Sequence, residues 1–233
     1  MYNTTAMDSV AVMIQKAIIS VPALIVAITL HEVSHGYVAN RLGDPTARLM
    51  GRLTLNPVKH VDLVGTIILP LILTMLGGII FGYAKPVPIN PSNFRNPEKG
   101  MAMSSAAGPI TNVLLAVASS LILVVFVLPL SALIQSPAVD AVVKPLALML
   151  QFSVRINLFL AALNLMPILP LDGGRVVAGL LPARQARAYS MIEPYGLIIL
   201  FALIFTGIAW YFIAPLYSLL THLVPFYDRI FPY

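Results

Sequence analysis

Between Val10 and Leu30 the only polar side chains are Gln15, Lys16, Ser20 and Thr29. A helix of about 20 apolar residues spans a hydrocarbon core. Further runs of similar character occupy residues 61–83, 101–130, 146–166 and 195–213. Composition points the same way: 59% of residues are hydrophobic and 10% are charged, against about 25% charged in ordinary soluble domains. The chain is therefore expected to be a mainly α membrane protein, a polytopic bundle of about four to six transmembrane helices. No polar stretch has the length of a soluble domain, so residues 1–233 read as one membrane-embedded domain. The net charge of +5 fits loops facing anionic headgroups better than nucleic acid. With no cysteine in the chain, disulfides, cysteine-bound clusters and a thiol nucleophile are excluded. Residues 1–7 lack a basic n-region and a small-residue cleavage site, so the first run reads as a retained helix.

In chain order, a helix is expected over 10–42, with a possible kink at Pro22 and Gly43 as its cap before the turn Asp44-Pro45. Residues 46–60 alternate briefly between glycine and proline breaks and suggest a strand or extended segment at the membrane surface. Residues 61–83 carry Pro70 and Gly77-Gly78, and residues 82–89 read as an extended edge whose prolines cannot donate. A small-residue stretch, Ser104 to Asn112, opens the next helix. Another helix over 146–166 contains Arg155 and Asn157. A last span is expected near 195–213, with an aromatic interfacial tail from Pro215.

Charge decides between a crossing and a dip at 61–83. If this segment crosses, basic residues divide between the two sides. If it re-enters, Arg41, Arg48, Arg52, Lys59, Lys85, Arg95, Lys99, Arg175, Arg184 and Arg187, ten of the fourteen basic residues, share one side. The positive-inside rule favours four spanning helices plus a re-entrant element, with short membrane-associated β segments. His35, Asn112 and Asp172 then share the cytoplasmic side.

The chemistry begins at His31-Glu32-Val33-Ser34-His35. Two histidines four apart project from one helix face and can share a metal ion, and Glu32 lies beside them as a base. Ionisable groups inside a membrane are costly, so function outweighs buried, hydrogen-bonded histidines as the explanation. His60 and His222 stand in no metal-binding pattern. Glu98 reads as solvated, Asp62 as a helix-start cap and Glu193 as a first-turn acid. Asp172, between a proline-broken helix end and two glycines, either presents a carboxylate into a cavity or forms an Asp-Gly turn. Asn112 either positions helices around a site or makes an unrelated interhelical hydrogen bond. Ser34 has no Ser–His–acid partners.

Three motifs occur in order: His31-Glu32-x-x-His35, Ala107-Gly108-Pro109-x-x-Asn112, and Asn164-x-x-Pro167-x-x-Pro170-Leu171-Asp172-Gly173. Together they resemble the site-2 protease family of intramembrane zinc metalloproteases. The resemblance covers a catalytic core of about 25–180, leaving a C-terminal helix and tail over about 190–233. Lys85-Pro86-Val87-Pro88 is similar to the small bacterial and archaeal members. No PDZ insertion or cystathionine-synthase-like regulatory domain is evident. The resemblance implies a single Zn2+ held by His31, His35 and Asp172, with Glu32 as general base and Asn164 near the oxyanion. It implies a transmembrane protein substrate, cleaved within or near its helix, in the bilayer of a prokaryotic inner membrane, with the site nearer the cytoplasmic face. Because cleavage needs an unwound helix, the edge over 82–89, with 48–55, is expected to capture it by strand addition. Two other readings stand beside this one: a catalytically silent channel- or transporter-like protein, and a membrane zinc hydrolase acting on a non-peptide substrate.

Overall fold

The computed structural model describes residues 4–62, 65, 68 and 84–232. Nearly all of the segment expected to re-enter the membrane lies outside these residues. The described chain is helical: α1 (Thr4–Arg41), α2 (Thr46–Leu49), α3 (Pro97–Leu121), α4 (Pro137–Asn164), α5 (Asp172–Leu180), α6 (Ala183–Ser190), α7 (Gly196–Phe205), α8 (Ala209–Thr221) and α9 (Tyr227–Ile230). A wide π-type turn, Ile122–Val127, carries α3 onward into Leu128–Leu133. Among the described residues, four stretches are long and apolar enough to cross a membrane: Ile14–Arg41, Pro97–Leu130, Pro137–Asn164 and Ala183–Phe205.

Local chemistry sets where these helices begin and end. The Asn96 side chain accepts from Lys99 N at 3.0 Å, Pro97 occupies the first turn and Glu98 follows it. A cap, a pre-set φ and an acid near the positive helix end all favour starting α3 there. Helix α1 stops at Arg41 because Gly43 takes φ +108°, the left-handed conformation that glycine adopts most easily. Asp44 then folds back, its N–H reaching Ala39 O at 2.9 Å.

Among the described residues there is no strand, and the surface strand expected over 46–60 is replaced by tighter structure. Asp44 Oδ1 accepts from Thr46 N at 3.1 Å and from the Thr46 hydroxyl, starting the helical turn of α2. Asn56 Oδ1 accepts from Val58 N at 3.1 Å and, with Pro57, starts a 3₁₀ turn over Pro57–His60. Side chains that bond their own backbone override so short an alternation. Residues 84–90 are extended but form no ladder.

Helix α3 packs along α4 and against α1 and α5. Lipid offers little hydrophobic drive for helix association, so close approach through small residues does the work. The buried face of α3 includes Gly100, Ala102, Ser104, Ser105, Ala107, Gly108, Asn112 and Ala116. Large side chains such as Leu114, Phe126, Val142 and Ile198 are exposed, as lipid-facing positions should be. A fully buried group around Val154, Leu158, Ala161 and Leu200 forms the main core.

The C-terminal part differs from one span and a surface tail. The helix breaks at Gly207, φ +76°, and α8 turns back to bury Ile213 and Leu220 in the same core as Val154 and Leu158. The tail follows it: Arg155 lies 4.2 Å over the Phe231 ring, Tyr217 and Tyr227 hydroxyls meet at 3.1 Å, and Ser120 Oγ bonds Pro225 O. The intramembrane arginine thus finds a cation–π partner.

Candidate metal centre

His31 and His35 project from successive turns of α1, and Asp172 opens α5. All three are buried. His31 Nε2 lies 3.1 Å from His35 Nε2 and 3.1 Å from Asp172 Oδ2, and His35 Nε2 lies 3.3 Å from the same oxygen. The loop 165–171 makes this possible, because Gly173 and Gly174 sit directly against the backbone of Leu165–Met166 and Ile168–Leu169. A Cβ at Gly173 would lie 2.3 Å from Leu165 O.

The protons on the two imidazoles point away from one another. His31 Nδ1 faces Asn112 Oδ1 at 2.5 Å, and His35 Nδ1 faces Ser104 O at 2.8 Å. Both partners are oxygens that only accept, so both Nδ1 atoms carry a hydrogen, and in the neutral imidazoles both Nε2 atoms present lone pairs. Asp172 sits against both rings. Its Oδ2 is buried without a hydrogen-bond partner. With both imidazoles neutral, three lone pairs converge on one point, an arrangement a cation relieves. A tetrahedral ion with bonds of about 2.0–2.1 Å spaces its ligand atoms by about 3.3–3.4 Å; the observed triangle has nearly those edges. The residues fit a zinc-sized ion.

Glu32 lies within the same group, its carboxylate near both histidines. Its Oε2 accepts the backbone N–H of Val87 at 2.9 Å, across the extended segment 84–90. That segment is clamped elsewhere too: Arg52 donates to Lys85 O at 2.9 Å, Lys85 N reaches His60 O at 2.9 Å, and Asn90 N reaches Asp44 Oδ2 at 2.7 Å. Three of its amides thus bond the protein itself, and two of its positions are prolines. Asp44 is fully buried. Burial works against its charge, but bonds from the Thr46 hydroxyl, Asn93, and the Asn90 and Thr46 amides hold its carboxyl below the ordinary value.

The histidines, Glu32, Asn164 and Asp172 line a cavity of about 320 Å³, walled by Leu160, Leu163, Leu197 and Leu200. Pro86, Val87, Ile89 and Arg175 separate it from an outer cavity of about 820 Å³. Asn164 Nδ2 donates one hydrogen to Leu160 O at 3.0 Å, and the amide carries a second.

The remaining candidates fall away from the centre. His60 is buried, with Nε2 on Thr54 O. His222 bonds Ser218 O. Asp62 accepts from Gly65 N at 2.8 Å, a cap-like bond as expected. Glu193 pairs with Arg175 at 3.7 Å. Asn112 is tied to the site, which decides between its two readings. Sequence reasoning assigned no role to Ser104 or Asn157, although Asn157 stood out as a polar residue inside an apolar helix.

A polytopic membrane protein with two histidines and a carboxylate closing on one point inside the bundle belongs to a narrow class. Residues 19–207 match peptidase family M50, and the chain belongs to that family; the site-2 protease resemblance read from its motifs is borne out. "Putative zinc metalloprotease YwhC" of Bacillus subtilis (strain 168) is 36% identical over 193 residues, 83% of each chain. "Putative zinc metalloprotease Rip2" of Mycolicibacterium smegmatis is 29% identical over 198 residues, 84% of this chain and 70% of that one. No solved structure matches the chain.

Proposed function

We propose that the protein is an intramembrane zinc endopeptidase that hydrolyses a peptide bond within or near a transmembrane helix of another membrane protein. The observation that carries this reading is the convergence of His31 Nε2, His35 Nε2 and Asp172 Oδ2 to within 3.3 Å of one another, with that oxygen buried and unpartnered. His31, His35 and Asp172 would hold the ion. Zinc in such a site lowers the pKa of water towards about 7 and polarises a carbonyl. Glu32, lining the same cavity, takes a proton from water at the carboxylate oxygen not held by Val87 and returns it to the departing amine. Asn164 offers its second amide hydrogen to the carbonyl oxygen as charge develops there. The leucine walls limit water around these groups.

The substrate must arrive locally extended, since a helix hides its carbonyls. Residues 84–90 have little left to donate, and Arg52 takes the Lys85 and Pro86 carbonyls. Among the described residues nothing takes the carbonyls of Val87 and Ile89, so this edge can offer them to a substrate N–H, a narrower form of strand addition. The ten basic residues assigned to one face support a cavity nearer the cytoplasmic side, and the family resemblance supports a prokaryotic inner membrane.

The test is zinc content of purified protein, with Asp172→Asn and His35→Ala as controls, together with cleavage of a transmembrane test substrate. Wild type should retain zinc and cleave, both ligand variants should lose zinc, and Glu32→Gln should keep zinc but not cleave. Full cleavage by Glu32→Gln overturns the mechanism, and unchanged zinc in Asp172→Asn overturns its assignment as a ligand.

A further inference from the structure

The two histidines are oriented by different means. His35 Nδ1 donates to Ser104 O, a backbone carbonyl that can do nothing but accept. His31 Nδ1 faces a side-chain amide, Asn112, and an amide can turn over. Turned over, Asn112 would present its NH2 to His31, move the imidazole hydrogen to Nε2 and remove the lone pair that faces His35 and Asp172. Something must hold Asn112 the right way round.

Asn112 Nδ2 donates to Asn157 Oδ1 at 2.8 Å and reaches Ala27 O only at 3.5 Å. Asn157 is itself locked, because its Nδ2 donates to Ser153 O at 2.9 Å and to Ser153 Oγ at 3.2 Å. Ser153 Oγ continues to Ser119 Oγ at 2.8 Å. The chain of amides thus ends on a backbone carbonyl, which settles the direction of every bond in it. Asn112 and Asn157 are 0% and 1% exposed, so water cannot substitute for either partner. Reversing Asn112 would set its oxygen against Asn157 Oδ1; reversing both would set Asn157 Oδ1 against Ser153 O. Each reversal leaves like acceptors facing in an apolar bundle, where unsatisfied polar groups are costly.

We propose that Asn157 is a positioning residue for zinc: through Asn112 it selects the His31 tautomer whose Nε2 is free to bind the ion. The inference rests on the zinc reading above. Groups one step removed from a metal ligand are worth about 10–100-fold in affinity, and Asn157 acts two steps away through a partner that has no other strong acceptor.

The experiment uses the full chain, purified and returned to lipid, and reads zinc affinity by competition with a chromophoric chelator. Nitrogen-15 NMR of the metal-free histidines reads the tautomer. Asn157→Leu is expected to weaken zinc by about 10–100-fold and to give His31 a share of the Nε2–H form. Asn157→Asp, with one oxygen accepting from Asn112 and a neutral carboxyl O–H donating to Ser153 O, should remain within a few-fold of wild type. Asn112→Asp offers oxygen to His31 either way round, so on that background Asn157→Leu should no longer weaken zinc. If Asn157→Leu does not fold, Asn157→Thr replaces it, since a hydroxyl that donates as readily as it accepts also leaves Asn112 unlocked.

Wild-type zinc affinity and an unchanged His31 tautomer in the folded Leu or Thr variant overturn the proposal. So does an Asp variant as weak as the Leu variant, which would mark Asn157 as packing only. A wild-type chain that binds no zinc defeats the zinc reading itself, and is distinguished by failing before any variant is compared.

Discussion

The backbone N–H of Val87 donates to Glu32 Oε2 at 2.9 Å. The candidate base is thereby held from outside its own helix, by a segment that forms the wall between the inner and outer cavities. Gly36, one turn along α1, lies beneath the same segment; a Cβ there would come within 2.7 Å of Val87 Cγ1. Glu32 and the segment are fitted to one another on two sides.

Removing that N–H should disorient the base without touching the metal. Val87→Pro is expected to lower turnover by about 10- to 100-fold, the range for a misplaced catalytic group, with zinc content unchanged. Val87→Ala keeps the N–H and should stay close to wild type. Steady-state cleavage of a transmembrane substrate with zinc analysis on the same samples checks this, and equal rates for the two variants would remove Val87 from the account.

Replacing the base itself is more severe. Glu32→Gln keeps size and the Val87 bond but cannot take a proton, so cleavage should fall by about 10²- to 10⁴-fold. Zinc should remain, since His31, His35 and Asp172 are untouched. Single-turnover cleavage separates this from a defect in substrate binding.

Gly108 offers a steric test. A Cβ at this position would stand 2.5 Å from His31 Cε1 and 2.5 Å from His35 Nε2. Gly108→Ala must therefore push both imidazoles or part α1 from α3, and overpacking of this kind costs about 1–3 kcal/mol. The expected result is a folded protein with reduced zinc retention on dialysis. Retention equal to wild type would mean that the helices yield and the ligands do not.

How much of this was legible in the sequence depended on how local each signal is. His31 and His35 meet because of helical spacing alone, and Asp172 was recognisable through the Pro-Leu-Asp-Gly context. Gly43 ended α1 where expected because its conformational role needs no tertiary partner. Asn157 carries no local pattern; its meaning depends on Asn112, 45 positions away, and on which way two amides face. The strand expected over 46–60 failed because Asp44 and Asn56 bond their own neighbours, an effect that alternation does not register. The break at Gly207 was hidden in a continuous apolar run, since hydropathy cannot distinguish one helix from two that fold back. Arg155 was visible only as a charge inside an apolar helix, and its cation–π partner Phe231 lies far along the chain in the tail.

Asp44 joins the end of α1 to the segment that carries Val87, and its effect should depend on pH. Its carboxylate accepts from Asn90 N at 2.7 Å and Asn93 Nδ2 at 2.7 Å, besides two bonds from Thr46. Its pKa is lowered in the folded protein from an ordinary 3.8, so the folded state favours the ionised form. The stabilisation is then complete at pH values well above 3.8, and is lost as pH falls through that value towards the lower folded one. Asp44→Asn keeps one accepting oxygen and loses the charge, and should cost about 1–3 kcal/mol at neutral pH. Thermal unfolding in lipid nanodiscs should show the wild-type advantage over Asp44→Asn shrinking below pH 3.8 and holding steady from mildly acidic to neutral pH. A difference that grows on acidification would reverse the sign and exclude an ionised Asp44 as the clasp. If the clasp also sets the position of Val87, Asp44→Asn should lower turnover at neutral pH while leaving zinc content intact, as Val87→Pro does.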